Sequence, residues 1–488
     1  MNFDGAAGLA SGRTTTGFTE AVDPAPLLFQ NFSLYGQDTW RASRKLTLTY
    51  GLRWDVNPAP SARNGKQLYR AIGLNDPQNL SVEPGTIYRT QYSAFAPRLG
   101  FALSLASTPG RETVLRGGTG VFYDIGTSTA GNVASNFPQN ARVNFSNLVY
   151  PIDPAVAAPP PLRRTLPVGA FGFRAFDPEL DLPRVYQWNV TLEQSLGSHQ
   201  TISAAHIGAV GRRLLRLEFL PSPSPNFGGN VTITRNSATS DYHSLQVQFT
   251  RRLHRGLQAL ASYTWSHSID VASVDSASVV RGDALAGSLD RASSDFDVRH
   301  AVTGAVTYNV PRSALGTPFE AIWNGWSVDS IFTARSSTPV SLITGASTLF
   351  GVSPRPNVTP GIPLYRDDPN AGGGKRYNLA AFAAPPPGVQ GNLGRNTLDS
   401  FPAWQIDLSV RRQIRLTERV GLGFRAEMFN VLNHPNFGDP VRTLSSGLFG
   451  LSDRMLARSL SPGGGAGFNP LYQIGGPRSI QLALRLQF

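Results

Sequence analysis

"RSIQLALRLQF", residues 478–488, closes the chain and sets Ile480, Leu482, Leu484, Leu486 and Phe488 in strict alternation with polar or small residues. Chain ends are ordinarily poorly packed and variable, so such order needs a cause. A period of two puts the five apolar side chains on one face of a strand, with Gln481, Ala483, Arg485 and Gln487 on the other. The run is about ten residues long, the length a tilted strand needs to cross the hydrocarbon core of a bilayer.

The same alternation recurs upstream. "KLTLTYGLRW" places Leu46, Leu48, Tyr50, Leu52 and Trp54 on one face and Thr47, Thr49, Gly51 and Arg53 on the other. "AWQIDLSVRR" sets Trp404, Ile406, Leu408 and Val410 against Gln405, Asp407, Ser409 and Arg411. "GLGFRAEMF" sets Leu422, Phe424, Ala426 and Met428 against Gly423, Arg425 and Glu427. A soluble sandwich also alternates, but its strands usually run to about five or six residues, half the length seen here.

The pattern predicts an all-β chain, an antiparallel meander of strands near 29–40, 45–56, 92–106, 113–124, 183–196 and 201–215. Further strands are expected near 242–253, 257–270, 298–310, 325–344, 402–416, 421–434 and 478–488. Short turns ("ASR", "STPGRE", "GSHQ", "LHRG", "TER") alternate with long Pro- and Gly-rich links near 57–91, 125–182, 271–297, 345–401 and 435–477. The link 311–324 is intermediate. Short turns at one rim and long loops at the other is how outer-membrane barrels are built. Trp40, Trp54, Trp265, Trp323, Trp326 and Trp404 fall near strand ends, and Trp188 sits further in. That placement matches interfacial aromatic girdles better than strand propensity alone.

Composition agrees. Among 488 residues, Gly 49 and Pro 37 suit many turns, and a hydrophobic fraction of 41% is modest for a packed globular protein. No apolar run approaches the roughly eighteen residues of a membrane helix. "MNFDGAAGLASGRTTTG" lacks the basic start and apolar stretch of a signal peptide, so an export address is expected upstream of Met1. Cysteine is absent, which excludes disulfides and thiolate metal sites. The net charge is +12, carried almost wholly by Arg, with Lys only at Lys45, Lys66 and Lys375. These cations are scattered along the sequence without a compact basic module, which argues against a nucleic-acid partner.

No catalytic or cofactor signature is present: no P-loop, no G-x-S-x-G and no H-E-x-x-H, and the seven His residues lack metal-ligand spacing. In "TWSHSID", adjacent side chains point to opposite faces, so His267 is not placed to activate Ser266 or Ser268. In "LDRASSDFDVRH", Asp290, Asp295 and Asp297 read as turn chemistry, with calcium at a loop rim as the alternative. "GGGAGFNP" reads as a loop, with no flanking strand and helix to make a phosphate cradle. The ionisable residues expected on the inner face are Arg53, Asp407, Arg411, Arg425, Glu427 and Arg485. They line a wet lumen either by pairing across strands or by contacting a polar substrate or a plug.

Four stretches carry a resemblance. "NFSLYGQDTWRASRKLTLTYGLRWD" resembles a hairpin in the barrels of TonB-dependent receptors. "SSDFDVRHAVTGAVTYNVP", "GNLGRNTLDSFPAWQIDLSV" and "GLGFRAEMFNVLNHPNFGDP" resemble the Oar-like branch of that family, in the family's order. The resemblance runs from about Phe29 to Phe488. It implies an outer-membrane receptor barrel taking up a bulky nutrient, with outer-membrane lipid and the barrel-assembly machinery as partners. The TonB system would act through a plug domain. The plug, the TonB-contacting segment and the signal peptide of the family are not recognised here. A plugged barrel has about 22 strands, roughly nine more than are counted. The chain is therefore expected to be the C-terminal part of a receptor barrel, with residues 1–28 the remnant of an outer loop and 29–488 the wall. The resemblance also implies that short turns face the periplasm and that Phe488 closes an assembly signal. A surface adhesion or matrix-interaction barrel is the alternative, and a soluble secreted β-protein a more distant one.

Overall fold

The computed structural model describes all residues except 1, 4, 125–129, 170–171, 221–222, 274–277, 281–288, 312–322, 346–352, 388 and 460–474. Thirteen strands follow one another in chain order, each paired antiparallel with its sequence neighbours. They are β1 (Phe32–Arg41), β2 (Leu46–Asn57), β3 (Gln91–Ala106), β4 (Thr113–Tyr123), β5 (Arg184–Ser195), β6 (Gln200–Leu220) and β7 (Val231–His254). The meander continues through β8 (Leu257–Asp270), β9 (His300–Asn309), β10 (Trp326–Arg335), β11 (Ala403–Arg415), β12 (Gly421–Phe429) and β13 (Ser479–Gln487). All thirteen lie where alternation places them. Strands β1 and β13 are the two edges, and the described residues leave the sheet open between them.

The register explains why the sheet holds one orientation. Leu46, Leu103, Leu115, Leu192, Ala204, Val247 and Tyr263 face one another in a single row across β2 to β8. The adjacent row is Thr47, Ala102, Arg116, Thr191, Ala205, Gln246 and Thr264. A slip of one residue at any strand would exchange the two faces, so the pattern pins the pairing. Trp40, Trp54, Trp188, Trp265, Trp326 and Trp404 share the apolar face with Leu48, Phe95, Gly208, Leu245, Arg412 and Ala334 opposite them. That face is the more open one: Leu482 and Leu484 of β13 are 69% and 73% exposed. Gln405, on the polar face, is 2% exposed. Leu46, Leu48, Ile406 and Leu408 are half-buried and Leu52 and Leu486 exposed; none is buried against protein.

Four strands differ most from the sequence expectation, two by ending early and two by running on. Strand β10 ends at Arg335 instead of running to 344, because Pro339–Val340 leaves the wall to pair with Leu398–Asp399. Strand β12 ends at Phe429, where Asn430 takes φ 47 and turns the chain. Strands β6 and β7 reach 21 and 24 residues, far past the spans 201–215 and 242–253. A tilted crossing uses about ten residues, so these two strands stand well clear of the layer that the others cross.

The long links are folded rather than irregular. One cap packs Ala71, Leu80, Phe137, Val168, Phe173, Val231 and Ile233 over the extended ends of β6 and β7. Beside it, Ala25, Leu68, Ile87, Val133, Phe176 and Leu180 form a second small core. The N-terminal segment belongs to this side of the molecule: Thr14–Val22 pairs with Asn140–Ser146, and Gly5–Ala10 is a short helix. A separate cap buries Val340, Leu342, Tyr377, Phe382, Leu393, Leu398 and Phe449. "GGGAGFNP" and most of 311–324 lie outside the described residues.

Candidate functional site

The polar face of the wall and the loop rim above it hold the ionisable side chains that the sequence singled out. Near the loop rim of β2, Arg53 Nη2 lies 2.9 Å from Asp55 Oδ1 and donates to Ser33 Oγ at 2.8 Å. Two residues apart on one strand, Arg53 and Asp55 share a face, and Ser33 stands opposite Asp55 on β1. On β11, Asp407 accepts from Gln405 Nε2 at 2.7 Å and from the Asn430 backbone N–H at 2.8 Å. Arg411 and Arg425 face each other across β11 and β12. Each has its own carboxylate: Arg411 Nε is 3.2 Å from Asp329 Oδ2, and Arg425 Nη2 is 2.5 Å from Glu427 Oε1. Arg485 stands opposite Gly423 on the same face and makes no ion pair among the described residues. An Arg turned to lipid at the midplane would cost about 2–4 kcal/mol, which is why all six expected side chains share the polar face.

Phe488 lies one residue past the end of β13 and is 92% exposed. Its neighbour Gln487 accepts from Gln413 Nε2 at 2.8 Å on the polar face.

The acidic run at 290–297 is not an open carboxylate cage. Asp290 is bound on both oxygens, by Arg216 on one and by Arg355 Nη1 at 2.7 Å on the other. Asp295 Oδ1 accepts from Arg395 Nη1 at 3.0 Å and from Asn396 Nδ2 at 2.6 Å. Asp297 Oδ1 accepts the Ser268 N–H at 2.8 Å. Arg395 also binds Asp270 and the carbonyl of Asp290. The triad Arg216–Asp290–Arg355 ties the extended end of β6, the link after β8 and the 340–398 cap together. Sequence reasoning missed Arg216, Arg355, Arg395 and Asp270, since their partners lie 65 to 125 residues away. No local pattern marks such pairs.

In "TWSHSID", Ser266 Oγ donates to the Val298 carbonyl and Ser268 Oγ bonds Ser294 Oγ, while His267 turns to the other face near Ser293 Oγ at 3.2 Å. The three side chains are not brought together. In the caps, burial pushes the Tyr88 phenol up to about 12, and burial raises Tyr377 more strongly.

Residues 2–460 match the family described as outer membrane beta barrel domain. The chain belongs to that family. Its place is accordingly the outer membrane, and the apolar face of the family's wall is the one that meets lipid. A search of curated proteins returned no match to the sequence. Among solved structures, it is similar to the copper transporter OprC, at 12% identity and TM-score 0.42, covering 95% of this chain and 48% of that one. It is also similar to the siderophore receptor PiuA from Acinetobacter baumannii, at 10% identity and TM-score 0.47, covering 94% and 43%. The FrpB iron transporter from Neisseria meningitidis is similar at 10% identity and TM-score 0.46, covering 96% and 46%. The chain spans less than half the length of these three structures.

Proposed function

We propose that this chain is wall from a TonB-dependent receptor of the Oar-like branch, serving uptake of a bulky polar nutrient. The observation that carries the reading is the inner face. Its charges are matched, between neighbouring strands at Arg411–Asp329 and along one strand at Arg425–Glu427, which suits a water-filled or plugged lumen and not a sealed apolar core. The four motif stretches support the branch. In this reading the full receptor supplies further strands between the edges β1 and β13, a plug inside the lumen and a TonB-contacting segment. The caps then stand outside the cell and the short turns face the periplasm.

Uptake can be tested without knowing the cargo. A strain lacking the gene and a strain lacking TonB-type coupling are compared on a panel of bulky glycans, chelates and peptides. The reading expects one class of nutrient to be lost in both strains. Normal uptake of every class in the gene deletion, with lost attachment to matrix or to other cells, would favour a surface adhesion barrel. The folded caps are what keep that second reading in play.

A further inference from the structure

Cations that are scattered along the sequence are gathered by the meander onto one rim. Arg41, Arg44 and Lys45 occupy the turn between β1 and β2, and Arg251, Arg252 and Arg255 the turn between β7 and β8. Arg415 and Arg419 continue the row at the turn between β11 and β12; Glu418 there, and Glu112 beside Arg111 at the turn between β3 and β4, are acidic exceptions. The expectation that these charges are not gathered is thus corrected by topology: short turns alternate with long links, so every short turn returns to the same edge. Arg251 is half-buried and the other cations are exposed. Arg255 and Gly256, both at positive φ (50° and 81°), form the two-residue hairpin turn that holds Arg255 at the tip. Gly256 is needed there, since a Cβ would meet the Asn309 carbonyl at 2.3 Å.

Two further observations say what these cations face. Cations on the wall and loop side, such as Arg53, Arg212, Arg395 and Arg411, have carboxylate partners. Among the described residues no ion pair involves the turn cations, and the Arg251 Nε–H has no acceptor. Beside them in sequence stand large apolar side chains open to solvent: Trp40 at 56%, Leu253 at 54% and Leu416 at 54%. Apolar anchors interleaved with cations are how a surface meets lipid, the ring or Leu entering the interface while the longer side chain reaches the phosphate. A soluble acidic partner would explain the arginines but leave the exposed Trp and Leu without a role. The spread also favours a surface over one small ligand. The β1–β2 and β7–β8 turns are six strand spacings apart, on the order of 30 Å.

We propose that the turn rim is a docking surface for anionic phospholipid headgroups of the leaflet it faces. The inference is independent of what the receptor carries. It is tested with the full chain folded in neutral detergent micelles, by adding phosphatidylglycerol or phosphatidylethanolamine and following thermal unfolding by heat-modifiable gel mobility. Phosphatidylglycerol is expected to raise the midpoint by several degrees, and the gain should vanish in about 1 M salt, where the Debye length falls to about 3 Å. Replacing Arg41, Arg44, Lys45, Arg251, Arg252 and Arg255 together by Gln should remove most of that gain. Arg63→Gln, Arg163→Gln and Arg164→Gln together, on the loop side, should leave it intact. If the sixfold variant does not fold, the two threefold variants are each expected to lose about half the gain, by the additive charge contributions of a polybasic surface. Equal stabilisation by phosphatidylethanolamine, or full gain in the turn variants, would overturn the proposal. So would stabilisation by polyglutamate with none from phosphatidylglycerol, which would assign the rim to an acidic protein.

Discussion

Asp290→Ala removes the one carboxylate between Arg216 and Arg355. In the native structure the three side chains are 7%, 10% and 8% exposed respectively, so water barely reaches them. The two Nε–H groups and Arg355 Nη2 are already without acceptors, so neither guanidinium has a second anion to turn to. Deleting one partner of a buried pair costs about 3–5 kcal/mol, most of it from the charge left behind; here two like charges are left. The loss should be local. The triad fastens the 340–398 cap to β6 and to the link after β8, while the wall keeps its ladder. Its measure is hydrogen exchange at the amides that close this joint: Arg395 N–H on the Leu289 carbonyl (2.9 Å) and Leu393 N–H on the Pro356 carbonyl (3.1 Å). At tenfold per 1.4 kcal/mol, exchange there should speed up by at least about two orders of magnitude, while amides of β11 and β12 stay unchanged. Arg216→Met, Asp290→Leu and Arg355→Met together should restore protection, since apolar replacement of a whole buried triad is often neutral or better. Unchanged exchange in Asp290→Ala would refute the claim that this triad holds the cap.

Three other outcomes are expected. Leu484→Arg, on the lipid face opposite Phe424, should lower barrel stability in phospholipid vesicles by about 2–4 kcal/mol in a urea titration. Gln481→Arg, inward and opposite Glu427, should change it by less than about 1 kcal/mol; equal losses would mean the two faces are assigned backwards. Tyr88, raised to about 12 by burial, stabilises its cap fully below the free phenol's value near 10, and that contribution should fade as pH rises from about 10 to 12. Proteolysis of the 59–88 segment across that window should reveal it, and Tyr88→Phe should abolish the step. Deleting Phe488 should cut folded, heat-modifiable barrel in membrane fractions with little change in synthesis, whereas Gln487→Ala should not. Equal folded yields would remove Phe488 from assembly.

The wall was legible because lipid and lumen impose a period of two, and a ladder of long strands repeats it thirteen times. "RSIQLALRLQF" shows both faces without knowing its partner, and Phe424, Ala426 and Met428 of β12 meet Leu484, Leu482 and Ile480 as alternation requires. The caps obey no period. Phe173 and Val231 pair in parallel although the whole of β5 and β6 lies between them. Tyr377 and Phe449 pack at 6.0 Å from two different links. Such cores come from long-range collapse of Pro- and Gly-rich segments, whose local composition says only that they turn.

Arginine shows the same division most sharply. One residue type plays three parts, and position in the meander decides which. On the inner face, at Arg53 and Arg425, it lies beside a carboxylate that alternation could place: Arg425 and Glu427 are two residues apart on one strand and so share a side. In the caps it finds anions 65 to 125 residues away, invisible to any window of sequence. On the turns it finds none among the described residues, and there its meaning depends on the surroundings. A turn cation next to an exposed Leu253 or Trp40 gains most where something outside supplies both the apolar contact and the counter-charge. A bilayer with anionic headgroups supplies both at once.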